Sequence, residues 1–289
     1  MSDTAVVKNM NKRNKNVKKV GDIIAYVVLA VACLMTLFPF AIVFSTSLKT
    51  YADSVKIPFK FYMGYLEWDS YKTVLQMPTL WSGLANTLTI TLPSMVAGVF
   101  TSALSAFAFA KMKFKAKGLM FTVLMFSMML PGVITMTPAY VLYDMIYWTD
   151  TYLPLMIPTA LGTASCVFYL RQYFNGLPNE LLEAAELDGL GEFGVFVRII
   201  LPLSKPALVA QMILWIISGY NDYFGPMLYL STESKYTLQL ILNLMTGSAE
   251  SNWPKIMACC IIVMMPMLVI YFLAQKQFME GIVMTGMKA

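Results

Sequence analysis

Two groups of residues in this chain could do chemical or mechanical work. The first centres on Asp222, the one charged residue between Pro206 and Thr232. Charges inside apolar spans are rare, face a cavity or a partner, and mark functional sites. Asn221 precedes it, and Tyr220 and Tyr223 flank the pair. A carboxylate and an amide could meet the hydroxyls of a sugar, with the rings against its C–H faces. The same residues could equally hold one helix against another, and the sequence leaves both roles open. A proton relay is disfavoured, because no second intramembrane carboxylate and no His can pass a proton onward. Asn86, Thr87, Thr89 and Thr91 form a smaller polar set whose expected role is helix packing, with substrate contact the alternative.

The second group lies in the polar stretch from Arg171 to Lys205, RQYFNGLPNELLEAAELDGLGEFGVFVRIILPLSK. Pro178 fits the first turn of a helix, where its missing N–H costs nothing. Glu180 and Glu183 sit near the positive end of that helix's dipole. Leu181, Leu182 and Ala185 share one face, with Ala184 and Leu187 beside them. Gly189 is suited to end the helix in the left-handed conformation. A second short helix is expected from Glu192 to Ile199, and Pro202 and Pro206 mark the return to an apolar run. Glu180, Glu183, Glu186, Asp188 and Glu192 have no Lys or Arg among them between Gln172 and Val197. Anionic lipid attracts basic helices, so this acidic pair is expected to meet a protein.

Catalysis is not indicated. The absence of His removes the usual acid/base, the commonest metal ligand and any Ser-His or Cys-His nucleophile. Cys33, Cys166, Cys259 and Cys260 lie in apolar runs without zinc-ligand spacing and read as buried packing. The 24 Met residues read as adaptable packing and not as copper ligands. No catalytic residue and no metal site is expected. No G-x-x-x-x-G-K-[ST] occurs, so the chain has no ATP-binding loop of this type.

Composition says which elements must hold these residues. Of 289 residues, 58% are hydrophobic and 13% charged, against roughly 45–50% and 25% in soluble domains. Apolar surface on that scale belongs in a bilayer. Charge-free stretches predict an all-α chain with six transmembrane helices, at about 23–47, 84–110, 118–143, 151–171, 204–232 and 256–275. The second is taken to start near Leu84, with an interfacial approach carrying Pro78 and Trp81 before it. Pro131, Pro138, Pro154, Pro158 and Pro266 are expected to kink or end spans. Residues 1–22 form a basic tail, 23–276 the membrane domain with the inserted loop 176–202, and 277–289 a second tail.

Fifteen Lys and Arg residues fall on the side of the two termini and six on the other. The positive-inside rule therefore places both termini in the cytoplasm. The net charge of +5 is a topology signal on this reading, and no nucleic-acid partner is expected. The basic start imitates a secretory signal, but its apolar run exceeds the roughly 7–15 residues of a signal core. An uncleaved first span is expected.

Glu183-Ala184-Ala185, then Gly189, Ile199 and Leu201-Pro202, resemble the EAA motif of ABC-importer permeases at every defining position. Gly83 to Leu88, Ala106 to Lys111, Met129 to Gly132 and Asn221 to Phe224 are similar to stations of the maltose-type carbohydrate permeases. So is the end of the chain, Gln275-Lys276-Gln277-Phe278 with Gly281 and Thr285-Gly286. The likeness covers nearly the whole chain and resembles the shorter, six-span member of a permease pair.

The resemblance implies the type I ABC-importer permease fold in a bacterial cytoplasmic membrane. It implies a transport subunit and not an enzyme, with no cofactor of its own and with ATP and Mg on partner ATPase subunits. The other partners implied are a second permease, an extracytoplasmic solute-binding protein, the lipid bilayer and a carbohydrate cargo, an oligosaccharide in the leading reading. Glu183, Ala184, Ala185, Leu187, Asp188, Gly189, Ile199, Leu201 and Pro202 would couple to the ATPase dimer. Gln275, Lys276, Thr285 and Gly286 would reach the same subunits from the last tail. Asn86, Tyr220, Asn221, Asp222 and Tyr223 are the pathway candidates. The alternative keeps the architecture and carries glycerol phosphate or another polyol. The absence of Lys and Arg from span interiors favours a neutral sugar. A secondary transporter is disfavoured, lacking a clear internal repeat or ion-coordinating carboxylates.

Overall fold

The computed structural model describes the backbone of residues 3–247 and 252–286, and the side chains of 21–247 and 252–275. Helices are the only regular secondary structure among them. The chain divides into two compact units, Met1–Val74 with Asn252–Ile261, and Leu75–Ser251 with Ile262–Ala289.

The first unit contains α1 (Asp3–Ser47), whose apolar stretch from Gly21 lies open along most of its length, as suits a helix facing lipid. Polar side chains pin its end. Ser45 Oγ donates to Phe61 O at 2.5 Å, and Ser47 Oγ shares a hydrogen bond of 2.8 Å with Tyr71 OH. Lys49 is buried with its ammonium 3.6 Å from the centre of the Phe59 ring, a cation–π contact, and burial pushes its pKa down. Asp53 accepts from Lys56, Tyr65 and Thr50, which hold its carboxyl at about 2.

The second unit is built on α2 (Pro78–Lys111). This helix starts a turn and a half before the expected Leu84. Pro78 takes a first-turn position, where a proline is favoured, and Trp81 Nε1 donates to Leu75 O at 2.8 Å. The approach segment is thus already helix. Ser94, Gly98, Ser102 and Ala106 are all buried and recur every fourth residue. Such a ridge of small side chains lets other helices come close. A Cβ on Gly98 would lie 2.4 Å from the Trp215 ring and 2.5 Å from Thr159 O.

The third predicted span is two helices, α3 (Lys117–Met129) and α4 (Gly132–Met145), bent by 99°. Leu130 is extended, as a residue before proline prefers, and Pro131 cannot continue the helical hydrogen bonding. The fourth span is α5 (Leu153–Ala160) and α6 (Ala164–Asn175), joined through Gly162 at φ +100°. Ser102 Oγ accepts from Thr163 N at 3.1 Å and ties that joint to α2.

Next come α7 (Glu180–Leu187) and a helical stretch α8 (Glu192–Leu203) that turns by 78° into α9 (Lys205–Tyr220). Here the expected span at 204–232 is corrected: α9 stops after 16 residues, and a short α10 (Phe224–Tyr229) follows a break. The break is polar. Asn221 Nδ2 donates back to Ile217 O at 2.8 Å, and Asp222 Oδ1 accepts from Gly225 N at 3.2 Å. Helix α11 (Leu238–Gly247) is too short to cross a bilayer and packs on α2. Helix α12 (Trp253–Gly286) runs through Pro266. Among the described residues four helical stretches, in α1, in α2, across α5 and α6, and in α12, are long and apolar enough to span, and the two bent pairs raise this to six if each is one crossing.

Candidate functional site

At one end of α2 stands the acidic knob. Leu182 and Ala185 of α7 are buried with Phe107 of α2, Phe174 of α6, and Val195, Phe196 and Ile200 of α8. Leu181, expected on the same face, is instead 44% exposed. The helix ends in a Schellman turn: Leu190 N donates to Ala185 O and Gly189 N to Glu186 O, both at 3.0 Å, with Gly189 at φ +87°. Helix α8 contains a wide π turn at Phe196–Ile200, closed by Leu201 N donating to Phe196 O. That register carries the chain past Pro202, whose N–H is missing.

The knob is tied to α2 by cations. Lys111 Nζ donates to Leu177 O at 2.8 Å and to Asn179 Oδ1 at 2.7 Å. Lys117 Nζ donates to Ala110 O and Met112 O, and Arg171 Nε to Phe109 O at 3.0 Å. The bonds from Lys117 and Arg171 satisfy carbonyls left over at the end of α2, where positive charge is also favoured.

Of the motif residues, Glu183, Ala184, Leu187, Asp188, Gly189 and Pro202 lie on the surface. Ala185 is buried, and Ile199 and Leu201 are half-buried against the core, so these three shape the knob from within. The five acids all face outward, and Leu187 is 89% exposed. Phe193 beside them is exposed as well.

The second feature is a cavity of about 500 Å³ between α2, α5, α9 and the residues after α9. Thr87, Thr91 and Ser94 of α2 face it, with Gln211, Trp215 and Ser218 of α9 and Asp222 beyond. Its volume falls in the range of small-molecule pockets, roughly 300–1,000 Å³. No Lys or Arg lines it.

Of Asn86, Tyr220, Asn221, Asp222 and Tyr223, Asp222 alone lines this cavity, together with Thr87 and Thr91 of the smaller polar set. Tyr220 is buried on another side, its hydroxyl donating to Val263 O at 2.7 Å. Tyr223 OH donates to Asn243 Oδ1 at 3.1 Å. Asn86 is a staple: its Nδ2 donates to Ser234 O at 2.9 Å and Tyr236 O at 3.0 Å. Gln211, Trp215 and Ser218 were not picked out in the sequence. Their signal was a spacing of four and three residues along one helical face that Asp222 continues. Gln275 is exposed, and α12 continues as helix to Gly286; the side chains of Lys276, Thr285 and Gly286's neighbours lie outside the described residues.

Residues 98–282 match the model of the binding-protein-dependent transport system inner membrane component. The chain belongs to that family. The matched segment holds both the knob and most of the cavity wall. This permease is 27% identical to the arabinooligosaccharides transport system permease protein AraQ of Bacillus subtilis, over 88% of this chain and 92% of the relative. It is 29% identical to the sn-glycerol-3-phosphate transport system permease protein UgpE of Yersinia pestis, over 91% and 96%. Its fold matches a chain of a bacterial ABC transporter involved in import of the acidic polysaccharide alginate, with TM-score 0.82, 23% identity and coverage of 91% and 98%. A membrane component of binding-protein-dependent transport has the all-α, multi-span architecture described above.

Proposed function

We propose that this permease is one of two membrane subunits of an ATP-driven importer for a neutral carbohydrate. Helix α7 and its Gly189 turn dock on an ATPase subunit, which supplies ATP and Mg. An extracytoplasmic binding protein delivers the sugar, and both termini are cytoplasmic. The end of α12 reaches the ATPase dimer. The observation carrying the cargo is the cavity wall, which offers hydroxyls, an amide, an indole and a carboxylate, but no cation. A phosphate ester would call for Lys or Arg to balance its charge, and the wall carries neither. The Yersinia relative keeps glycerol phosphate as the second reading.

The test reconstitutes the complete importer in nanodiscs with its binding protein. ATP hydrolysis is measured with arabinotriose, maltotriose, xylotriose and sn-glycerol 3-phosphate. Stimulation by a trisaccharide is expected. Stimulation by glycerol 3-phosphate alone would replace the carbohydrate reading with the second one.

A further inference from the structure

Gln211 is 8% exposed as a residue and its amide makes no hydrogen bond among the described residues, so what it touches is the open space of the cavity. A polar side chain turned without a partner into such a space calls for an explanation such as water or a ligand. Gln211 faces the 500 Å³ cavity. Thr91 Oγ1 and Thr237 Oγ1, in the same wall, are buried without partners, which is costly. Asp222 accepts from Gly225 N and forms no ion pair among the described residues. Its carboxylate therefore keeps acceptor capacity. Four polar groups with spare hydrogen-bonding capacity thus converge on one space.

The spacing on α9 aligns the groups. Gln211, Trp215 and Ser218 lie on one helical face, and Asp222 follows a turn later. Gly219 is what lets this face meet α2, since a Cβ there would lie 2.8 Å from Thr91 Cγ2. An amide offers donors and acceptors, a carboxylate accepts, and a hydroxyl does both. An indole adds a flat apolar surface with one N–H. A pyranose or furanose ring presents the complement: hydroxyls that donate and accept around its edge, and C–H groups on its faces.

We infer that this cavity is a saccharide subsite carried by this subunit alone, holding one neutral sugar ring during passage. Gln211 and Asp222 bind its hydroxyls, Ser218 contacts its edge, and Trp215 covers a C–H face. The inference rests on the carbohydrate reading above and adds that part of the sugar's recognition lies in this chain.

The test uses the full importer in nanodiscs and the trisaccharide that stimulates hydrolysis in the panel above. Ser218→Cys, in a chain whose four native cysteines are replaced, is labelled with methanethiosulfonate ethylammonium. Labelling is followed in the vanadate-trapped state, with and without that trisaccharide. Labelling should occur and should slow at least about threefold when sugar is present. Gln211→Leu and Asp222→Asn should each lower sugar moved per ATP by about tenfold, the scale of one or two lost hydrogen bonds. Trp215→Phe, a milder change, should shift the ranking among the three trisaccharides. Labelling that sugar does not slow, or Gln211→Leu with wild-type transport per ATP, overturns the subsite. No labelling in any state means that another subunit fills the cavity, which overturns it as well. If no trisaccharide stimulates the wild-type importer, the carbohydrate reading itself fails, a result distinct from either of these.

Discussion

Lys111 Nζ and Asn179 Oδ1 lie 2.7 Å apart, joining the last residue of α2 to the residue just before α7. Asn179 makes no side-chain cap on its own helix, so its carbonyl oxygen serves the lysine instead. With the second bond to Leu177 O, Lys111 fixes where the knob starts relative to the helix that walls the cavity. A displacement at either end has a short polar path to the other. Lys111→Met should cost about 1 kcal/mol of local stability, given its partial exposure. Transport per ATP should fall while the protein still reaches the membrane, and Lys111→Arg should restore part of it. Equal coupling in Lys111→Met and wild type, measured in proteoliposomes, would mean that the bond only trims the surface.

Gly189 separates backbone strain from surface contact. Its φ of +87° disfavours any residue with a Cβ, yet a Cβ built there meets nothing within 4 Å. Within the chain a substitution costs only the strain, about 1–2 kcal/mol for an ordinary side chain. Asn tolerates this conformation best. Gly189→Asn should therefore fold and insert, whereas Gly189→Val should loosen the end of α7. If the turn enters an ATPase cleft, Gly189→Asp abolishes uptake despite membrane levels near those of Gly189→Asn. Co-purification of the ATPase and its stimulation by loaded binding protein are the readouts. Normal stimulation in Gly189→Asp would leave this turn without a coupling role.

The knob was the most legible part of the sequence, because its signals are local. Pro178, the acids at the helix start and Gly189 each act within a turn of where they stand. The cavity was hidden because its wall is shared among helices distant in sequence, and Gln211 looks like one polar residue in an apolar run. Tyr220 was misplaced for a related reason. It is two residues from Asp222 but on a different face, and its hydroxyl goes to the backbone of α12. Pro131 marks the break, but nothing local in the chain gives its 99° angle. Pro78 is a helix-start signal that lies ahead of the span-length apolar run.

Asp150 gives a pH-dependent prediction away from the spans. Its carboxylate accepts from Lys235 Nζ at 2.7 Å, Thr232 Oγ1 at 2.6 Å, and the N–H groups of Ser231 and Thr232. Lys235 first, and then Thr232, hold its pKa well below the ordinary 3.8. A carboxyl whose folded pKa is depressed stabilises the fold fully above its unfolded value and loses that contribution as pH falls below it. Asp150→Asn should therefore lower the thermal midpoint of the detergent-solubilised protein at neutral pH. The gap to wild type should close as pH drops below about 4. The pair is partly exposed, so the effect is modest and weakens with salt. A gap unchanged from neutral pH to acid would remove the ionised carboxylate as its cause.

Gly98 tests whether the small-residue ridge of α2 sets the helix spacing. A Cβ there would meet the Trp215 ring at 2.4 Å and Thr159 O at 2.5 Å. The ring could rotate away, but the carbonyl belongs to the backbone of α5 and cannot yield without moving that helix. Overpacking of this kind typically costs about 1–3 kcal/mol. Gly98→Ala should lower the thermal midpoint of the solubilised subunit, and Gly98→Leu should block assembly. Trp215 and Thr159 both face the cavity, so the added methyl should also reshape it. Combining Gly98→Ala with Trp215→Phe leaves the clash with Thr159 O but frees space at the ring. If the ring is the main obstacle, the double variant should recover more than half of the lost stability. If α5 is the obstacle, it should recover almost none, and a Gly98→Ala subunit as stable as wild type would mean that the ridge does not control the spacing.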